Sequence, residues 1–300
     1  TILFEHGTFR AAPFALVMQA QLTAATGDFV EANELGDLAI ALAKKLGVRD
    51  QEAKIFFCFG CFVALWKRPL DAVLDVLHKA IEAGVDTGDR VYGSYSIHCT
   101  QITAFASQAA SMDETIAEID KRTPLVSQLG SLQVLRFIKH AAHALAGRTS
   151  RLDVLDVRDV LDVRDAPHDG GAGFSADECL ALLEKYQPGA CFARALWIQL
   201  HMLAGDVDAA LALIPACEQR LRFVSATLYA WPLYLYGGIA CAQRGDGARA
   251  KAYLDVLRSW ADANPSTFAH AAELLSAEIA RSEHRSLDAI KHYRRAIASA

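Results

Sequence analysis

The chain has 300 residues, of which 53% are hydrophobic and 22% are charged, and its formal net charge at pH 7 is -5. This composition is typical of a soluble globular protein whose core is large enough to fold without disulfides or a structural metal. The mild negative charge argues against a nucleic-acid-binding protein, which would carry a clustered basic face. No apolar run approaches the roughly 18 residues needed to span a bilayer, and residues 1–7 do not form a signal peptide. We therefore expect a cytoplasmic protein that neither binds nucleic acid nor enters a membrane.

Apolar residues recur at three- and four-residue spacing through the first half of the chain, which predicts helices rather than strands. The predicted helices span 14–25, 31–46, 51–65 and 70–83, then a segment that carries Tyr92 and Ile102, then 113–129 and 132–145. Gly27, Gly47, Gly84 and Gly130 are expected to end or separate them. Pro69 suits the start of a helix, where its missing N–H costs nothing.

A Gly-Asp turn followed by a fixed alanine recurs along the chain. Its three copies are Gly27-Asp28 with Ala32, Gly205-Asp206 with Ala210, and Gly245-Asp246 with Ala250. His284-Arg285 with Ala289 keeps the frame without the glycine, and Ala72 follows Ala32 at the same spacing. A spacing of about 40 residues with helical patterning predicts stacked helical hairpins. Small residues such as Gly238, Ala277 and Ala296 are expected where hairpins meet.

One segment breaks the helical pattern. Residues 153–158 (Asp-Val-Leu-Asp-Val-Arg) are repeated without change at 159–164, and Pro167 and several glycines follow. A period of six fits neither a helix nor a strand. We interpret 148–174 as a flexible inserted loop, with a short extra helix as the alternative. It divides an N-terminal block of hairpins, 1–147, from a C-terminal block, 175–300.

Residues with metal-binding chemistry occur, but not in complete sets. The seven cysteines are scattered, which favours reduced, buried thiols in a cytoplasmic protein. Cys58 and Cys61 form a CxxC pair inside an almost wholly apolar helix, and no second CxxC completes a zinc site. His140 and His143 lie one helical turn apart without a third ligand nearby in sequence. We expect no metal and no cofactor in this segment.

The sequence also lacks catalytic signatures. No G-x-S-x-G, no HExxH and no kinase glycine loop occurs, and no Lys-Ser/Thr follows the glycines at 170–173. Arg244-Gly245-Asp246 resembles an adhesion tripeptide, but it occupies a position where the repeat places a turn. A binding surface is a better hypothesis than an active site, so we expect no enzyme activity from this segment.

The repeat frame predicts which residues face a concave groove. In a tetratricopeptide stack the first helix of each hairpin lines the concave side. The predicted groove residues are Phe14, Val17, Gln21, Phe192, Gln199, Met202, Leu235, Gln243, Glu278 and Arg281. The set is largely apolar and lacks a basic clamp for a terminal carboxylate. The alternative is a groove closed by the chain's own neighbouring segments.

Five stretches carry a resemblance to a known family. They are 66–70 (Trp-Lys-Arg-Pro-Leu), 83–95, 272–281, 289–290 and 293–297. These residues are similar to the central helical-repeat region of very large bacterial signalling kinases, and the similarity spans the chain except 148–174. In that family a serine/threonine-kinase-like domain and a STAND-type AAA ATPase lie upstream, and a GAF sensor and a histidine kinase commonly lie downstream. No kinase or ATPase motif falls inside this chain, so the resemblance implies no catalytic residue here.

Repeat frame and resemblance together predict an all-α protein, a tetratricopeptide-like right-handed superhelix of stacked helical hairpins. The resemblance implies a regulatory arm of a multidomain sensor kinase, as a piece of a longer chain. Its partners would be the neighbouring ATPase, GAF and histidine kinase domains, and a protein or small-molecule effector. The alternative is a free-standing adaptor, or the repeat arm of a transcriptional activator, that binds a peptide or a small effector. A helical enzyme is a third reading, and it would require a polar pocket with a perturbed acid or base.

Overall fold

The computed structural model describes residues 9–107, 110–148, 154–155, 174–175, 180–181 and 183–300. Helices dominate these residues, as the sequence predicted. The α-helices are α1 Ala12–Ala25, α2 Phe29–Leu46, α3 Glu52–Phe62, α4 Leu70–Thr87, α5 Arg90–Ser107, α6 Met112–Arg122, α7 Leu129–Leu145, α8 Gln187–Leu203, α9 Val207–Glu218, α10 Gly238–Gln243, α11 Gly247–Ala263, α12 Pro265–Ser282 and α13 Ser286–Ser299. In the described part of the chain, extended pairing is confined to Val154–Leu155 and Phe174–Ser175, which form a two-residue antiparallel ladder.

The helices form two rows. Along the inner row, α1, α3, α5, α7 and α8 each contact the next, and the row continues through a π-helical turn, Leu233–Gly237, into α10 and α12. The outer row consists of α2, α4, α6, α9, α11 and α13, each of which packs against its neighbour in sequence. The apolar faces of both rows meet in one continuous core. This arrangement puts the first helix of most hairpins on the inside.

The turns that lead into the outer helices repeat one structure. Gly27, Gly205 and Gly245 have positive φ angles of 93°, 83° and 83°, a conformation that glycine adopts without strain. The aspartate that follows each glycine is the N-cap of α2, α9 or α11, and its carboxylate accepts a hydrogen bond from the backbone N–H three residues on. We call these three turns, together with His284-Arg285, the rim turns. At the fourth turn His284 keeps a positive φ of 60°, although it has a Cβ.

The alanine of the repeat frame is buried at its outer helix, with one exception. Ala32, Ala210, Ala250 and Ala289 are all buried at the fourth helical position. Ala72 is only half-buried, and the buried residue in the corresponding place on α4 is Val73. The sequence frame was wrong by one residue there, because α4 begins after Pro69 rather than after a Gly-Asp turn.

Two glycines expected to end helices lie inside helices instead. Gly84 is three residues short of the end of α4, and a Cβ there would lie 3.0 Å from the Cα of Gly93 on α5. Its role is to let two helices approach closely. Gly130 lies in the first turn of α7, and the break before it falls at a 3-10 turn, Thr123–Leu125. The predicted helix 113–129 therefore ends at Arg122, where Pro124 follows. The predicted helix 51–65 likewise ends at Phe62 and continues as a 3-10 turn, Ala64–Trp66.

The two predicted blocks, 1–147 and 175–300, pack against each other. Trp66, which follows α3, contacts the rings of Trp260 and Phe268 at centroid distances of 5.2 Å and 5.7 Å. Asn264, between α11 and α12, donates from its side-chain amide to the carbonyl oxygens of Leu65 (2.9 Å) and Arg68 (2.7 Å). The last hairpins of the chain therefore pack against the second hairpin, near the end of α3. The predicted flexible loop, 148–174, lies outside the described residues except for Arg148, the short ladder strand at 154–155 and Phe174.

Candidate binding site

The segment between α9 and α10 departs most from the repeat. Residues 219–237, which we call the inner segment, contain 3-10 turns at Leu221–Phe223 and Leu228–Ala230 and the π-helical turn. Ala226 adopts a positive φ of 57°, which is costly for a residue with a Cβ. π-helical turns are rare and frequent at functional sites, and strained backbone clusters there as well. Both observations make the space beside this segment a candidate functional site.

The inner segment forms one wall of a cavity of about 170 Å³. The other walls come from α5, α8 and α12, so that both halves of the chain contribute. Four lining residues are aromatic, Phe105, Phe192, Trp231 and Tyr236, and most of the others are aliphatic. The cavity is partly open to solvent. A site between inner-row helices with an apolar lining is the usual setting for a small ligand.

Four lining residues carry uncharged hydrogen-bonding groups, namely Gln199, Tyr236, His270 and the indole N–H of Trp231. The Gln199 amide lies 3.5 Å from the Tyr236 hydroxyl, a contact at the outer limit of a hydrogen bond. Burial raises the pKa of Tyr236 above its usual value, which keeps the phenol protonated. Burial lowers the pKa of His270, so the imidazole is neutral at pH 7. No Asp, Glu, Lys or Arg is among the described residues that line the cavity.

A buried polar cluster lies behind the cavity and ties the two halves together. The imidazole of His98 on α5 contacts the Ser131 hydroxyl of α7 through Nδ1 at 2.9 Å. Its Nε2 contacts the hydroxyl of Tyr229, in the inner segment, at 2.6 Å. His98 and Ser131 are fully buried, and Tyr229 nearly so. Phe192 packs on the Tyr229 ring from the cavity side, at a centroid distance of 5.8 Å. Phe192 therefore contacts both the cavity and the cluster.

The Ser131–His98 pair has the atoms of a nucleophile and its base, but its surroundings differ from those of a catalytic site. The second nitrogen of His98 meets a phenol rather than the carboxylate that orients a catalytic histidine. Neither side chain lines the cavity. Within the described residues, the pair therefore satisfies buried polar atoms and fixes the positions of α5, α7 and the inner segment.

The CxxC cysteines are buried, as predicted, and they have a third thiol beside them. The sulfur of Cys61 lies 3.3 Å from that of Cys99 on α5, which in turn lies 3.3 Å from the Tyr229 hydroxyl. Burial raises the pKa of the Cys58 thiol to about 12. Burial also acts to raise the pKa of Cys99, but hydrogen bonds from Cys61, His98 and Tyr229 outweigh it and hold that pKa below its usual range. Sequence reasoning missed Cys99, since only folding brings α3 and α5 together.

Three of the ten predicted groove residues line the cavity. Gln199 lines the cavity together with Phe192 and Leu235, whereas the other seven predicted groove residues are not among its lining residues. Those seven are Val17, which is buried, Phe14, Gln21 and Met202, which are half-buried, Gln243, which is exposed at the end of α10, and Glu278 and Arg281, which pair with each other at 2.6 Å. Tyr293 also donates to Glu278. Sequence reasoning missed Trp231, Tyr236 and His270.

His140 and His143 lie on α7, the first buried and the second half-buried. Among the described residues, no group of three or more histidine, cysteine, aspartate or glutamate side chains is arranged to hold a metal ion. Nor does any described helix have the length and apolar character required to cross a membrane. Arg244-Gly245-Asp246 forms a rim turn, as predicted, with Asp246 as the N-cap of α11.

No protein-family model matches the chain, and no curated protein is significantly similar to it.

Proposed function

We propose that the chain is a non-catalytic, tetratricopeptide-like scaffold, with its hairpins stacked in a right-handed superhelix. The recurrence of the rim turns carries this proposal. The same positive-φ residue, N-cap and buried alanine begin α2, α9 and α11, and α13 begins with a variant of them. Proteins built from stacked helical hairpins present extended surfaces and commonly bind other proteins.

The outer face of α13 is the surface that best fits a protein partner. Leu287, Ile290 and Ile297 are 76%, 48% and 79% exposed on this helix. Ile290 and Ile297 correspond, in the repeat frame, to Lys251 and Arg258 on α11. There Lys251 pairs with Glu283 at 2.7 Å and Arg258 reaches Ser276 at 3.4 Å, both contacts to the following hairpin. The apolar side chains on α13 thus occupy positions that contact the next helical unit elsewhere in the protein.

The partner that we propose for this face is an adjoining domain of the same polypeptide. The resemblance of 66–70, 83–95 and 272–281 to the repeat region of bacterial signalling kinases supports this choice. In that setting the scaffold is a cytoplasmic regulatory arm between an ATPase and a GAF or histidine kinase domain. It needs no cofactor of its own, since its role is to hold and release its neighbours.

The test begins with the parent gene, sequenced beyond both ends of this segment. The adjoining ATPase domain is then titrated into the 300-residue chain by calorimetry, with wild type compared with Ile290→Asp/Ile297→Asp. We expect the double variant to bind at least tenfold more weakly, because two charges replace the apolar contact. Val85→Asp, on an exposed apolar residue of α4, is the control and should bind like wild type. Equal binding by the double variant would contradict the docking face.

The cavity favours one form of the second candidate function, a free-standing adaptor or activator arm that responds to a small effector. A helix-turn-helix domain encoded after Ala300, in place of kinase and GAF sequence, would support this candidate and count against the first.

A further inference from the structure

The cavity between the two halves has the size of a small ring compound. Cavities of about 150 Å³ lined by aliphatic and aromatic side chains are large enough for benzene. At about 170 Å³, with solvent access on one side, this cavity has room for one aromatic ring with a small substituent or for two small fused rings. It is too small for most drug-sized ligands, which occupy roughly 300 Å³ or more.

The lining specifies the chemistry of the occupant. Phe105, Phe192 and Trp231 offer ring faces and edges, which favour an aromatic ligand over an aliphatic one of the same size. The His270 ring makes an edge contact with Trp231 at a centroid distance of 5.8 Å. Because the described lining has no charged side chain, an ion would lose its hydration there without compensation.

Polar groups lie at one end of the cavity. Gln199 and Tyr236 are too far apart to satisfy each other well, at 3.5 Å, so a ligand oxygen or N–H can compete for them. Both groups can donate and accept hydrogen bonds. Trp231 and Tyr236 both belong to the inner segment, and Tyr236 lies within its π-helical turn, a feature that is frequent at functional sites.

We propose that this cavity is a binding site for a neutral aromatic molecule of one or two rings that carries one hydrogen-bonding group, such as a phenol or an indole. The ligand inserts its ring between Phe192 and Trp231 and places its polar group at Gln199 and Tyr236. Because α5, α8, α12 and the inner segment all contribute to the walls, the bound molecule stabilises the contact between the two halves. This role as an effector site rests on the proposed scaffold function, but binding itself does not.

The experiment is calorimetric titration of the 300-residue chain with phenol and with indole, and benzoate and cyclohexanol are the comparison compounds. Phenol and indole should bind, and benzoate and cyclohexanol should bind at least tenfold more weakly. Leu274→Trp fills the cavity and should abolish binding. Gln199→Leu should weaken phenol binding about 3- to 10-fold, the loss expected for one neutral hydrogen bond. Because Gln199→Leu is a separate variant, the proposal can still be tested if Leu274→Trp fails to fold.

Two control variants separate the cavity from general effects. Gln243→Leu and Leu203→Trp make the same chemical changes at exposed positions and should bind both compounds like wild type. The proposal is overturned if neither phenol nor indole binds, or if Leu274→Trp folds and binds as wild type does. It is also overturned if benzoate binds as tightly as phenol, or if only a tryptophan-containing peptide binds. Ile290→Asp/Ile297→Asp leaves indole binding intact, so a failure of the docking face is distinguishable from a failure of this site.

Discussion

The rim turns and the inner segment illustrate two ways in which one chain uses its backbone. Each rim turn repeats a positive φ and, where the glycine is present, an aspartate cap, on the exposed edge of the molecule. The inner segment, in contrast, has no counterpart elsewhere in the repeat. It contains a π-helical turn and the strained Ala226, and its Tyr229 reaches across the core to His98. The repeated feature builds the scaffold, and the departure from it builds the cavity.

The connections between helices show the same contrast. Asn264 alone separates α11 from α12, whereas residues 219–230 separate α9 from the next helical stretch. A tetratricopeptide unit has about 34 residues, so a spacing of about 40 leaves extra length in each unit. Between α11 and α13 the extra residues belong to longer helices. Between α9 and α11 it forms one wall of the cavity. We therefore expect substitutions at buried contacts to lower the free energy of unfolding much more than substitutions at the rim turns.

The largest effect is expected from Trp66→Ala. Trp66 stacks on Phe29 at 4.8 Å and contacts Trp260 and Phe268, so it joins the first hairpins to the last. Removing a buried tryptophan from such a cluster costs about 3–5 kcal/mol of unfolding free energy. Urea denaturation followed by circular dichroism measures it. Phe9→Ala, at a side chain that is 52% exposed, is the control and should change stability little. Comparable losses for both variants would mean that Trp66 does not join the two halves.

Gly189→Ala should have the next largest effect. A Cβ at this position of α8 would lie 2.5 Å from Cδ1 of Tyr186, whose ring also packs against Gly130. Overpacking of this kind costs about 1–3 kcal/mol, and the same denaturation experiment would detect it. Gly247→Ala is the matched control, since a Cβ there meets no atom within 4 Å. Wild-type stability for Gly189→Ala would show that the Tyr186 ring is free to move away.

Substitutions at the rim turns should change the stability of the chain through backbone strain alone. At Gly205 a Cβ would meet no atom within 4 Å, but the φ of 83° is unfavourable for alanine. Gly205→Ala should therefore destabilise the chain by about 1–2 kcal/mol. His284→Gly makes the reverse change at a φ of 60° and should stabilise it by about 0.5 kcal/mol, since relief of strain is offset by greater freedom of the unfolded chain. Changes of the same sign in both variants would refute a common turn structure.

The helical fold was accessible from sequence because it depends on local signals. The spacing of apolar residues gave most helices, and Gly-Asp gave the rim turns and three of the outer-helix starts. The signal failed where glycine had another role. Gly84 and Gly130 looked like helix ends, but they make room for Gly93 and Tyr186. Local sequence does not distinguish a glycine that ends a helix from one that allows close packing.

The candidate site was largely inaccessible from sequence. The repeat frame predicted that Phe192, Gln199 and Leu235 lie in a groove, and these three residues line the cavity. Trp231, Tyr236 and His270 join it only because the inner segment leaves the repeat and α12 returns to the N-terminal half. Tyr229 and His98 are separated by 131 residues, so nothing in the local sequence of either residue predicts their contact. Pairings of that range depend on the path of the whole chain.

The most direct test of this account is a double-mutant cycle between His98 and Tyr229, read as unfolding free energy. His98→Leu and Tyr229→Phe each remove the shortest hydrogen bond of a buried polar atom, 2.6 Å long, and leave only longer contacts, to Cys99 for the Tyr229 hydroxyl and to Tyr186 for His98 Nε2. Each loss should cost about 1–3 kcal/mol. The double variant removes both atoms, so it should be less destabilised than the sum of the single variants by at least about 1 kcal/mol. That coupling would establish that the inner segment fastens the two halves together around the cavity. Additive losses, within about 0.3 kcal/mol, would mean that the two side chains are not in contact and that this pair does not fasten the inner segment to α5.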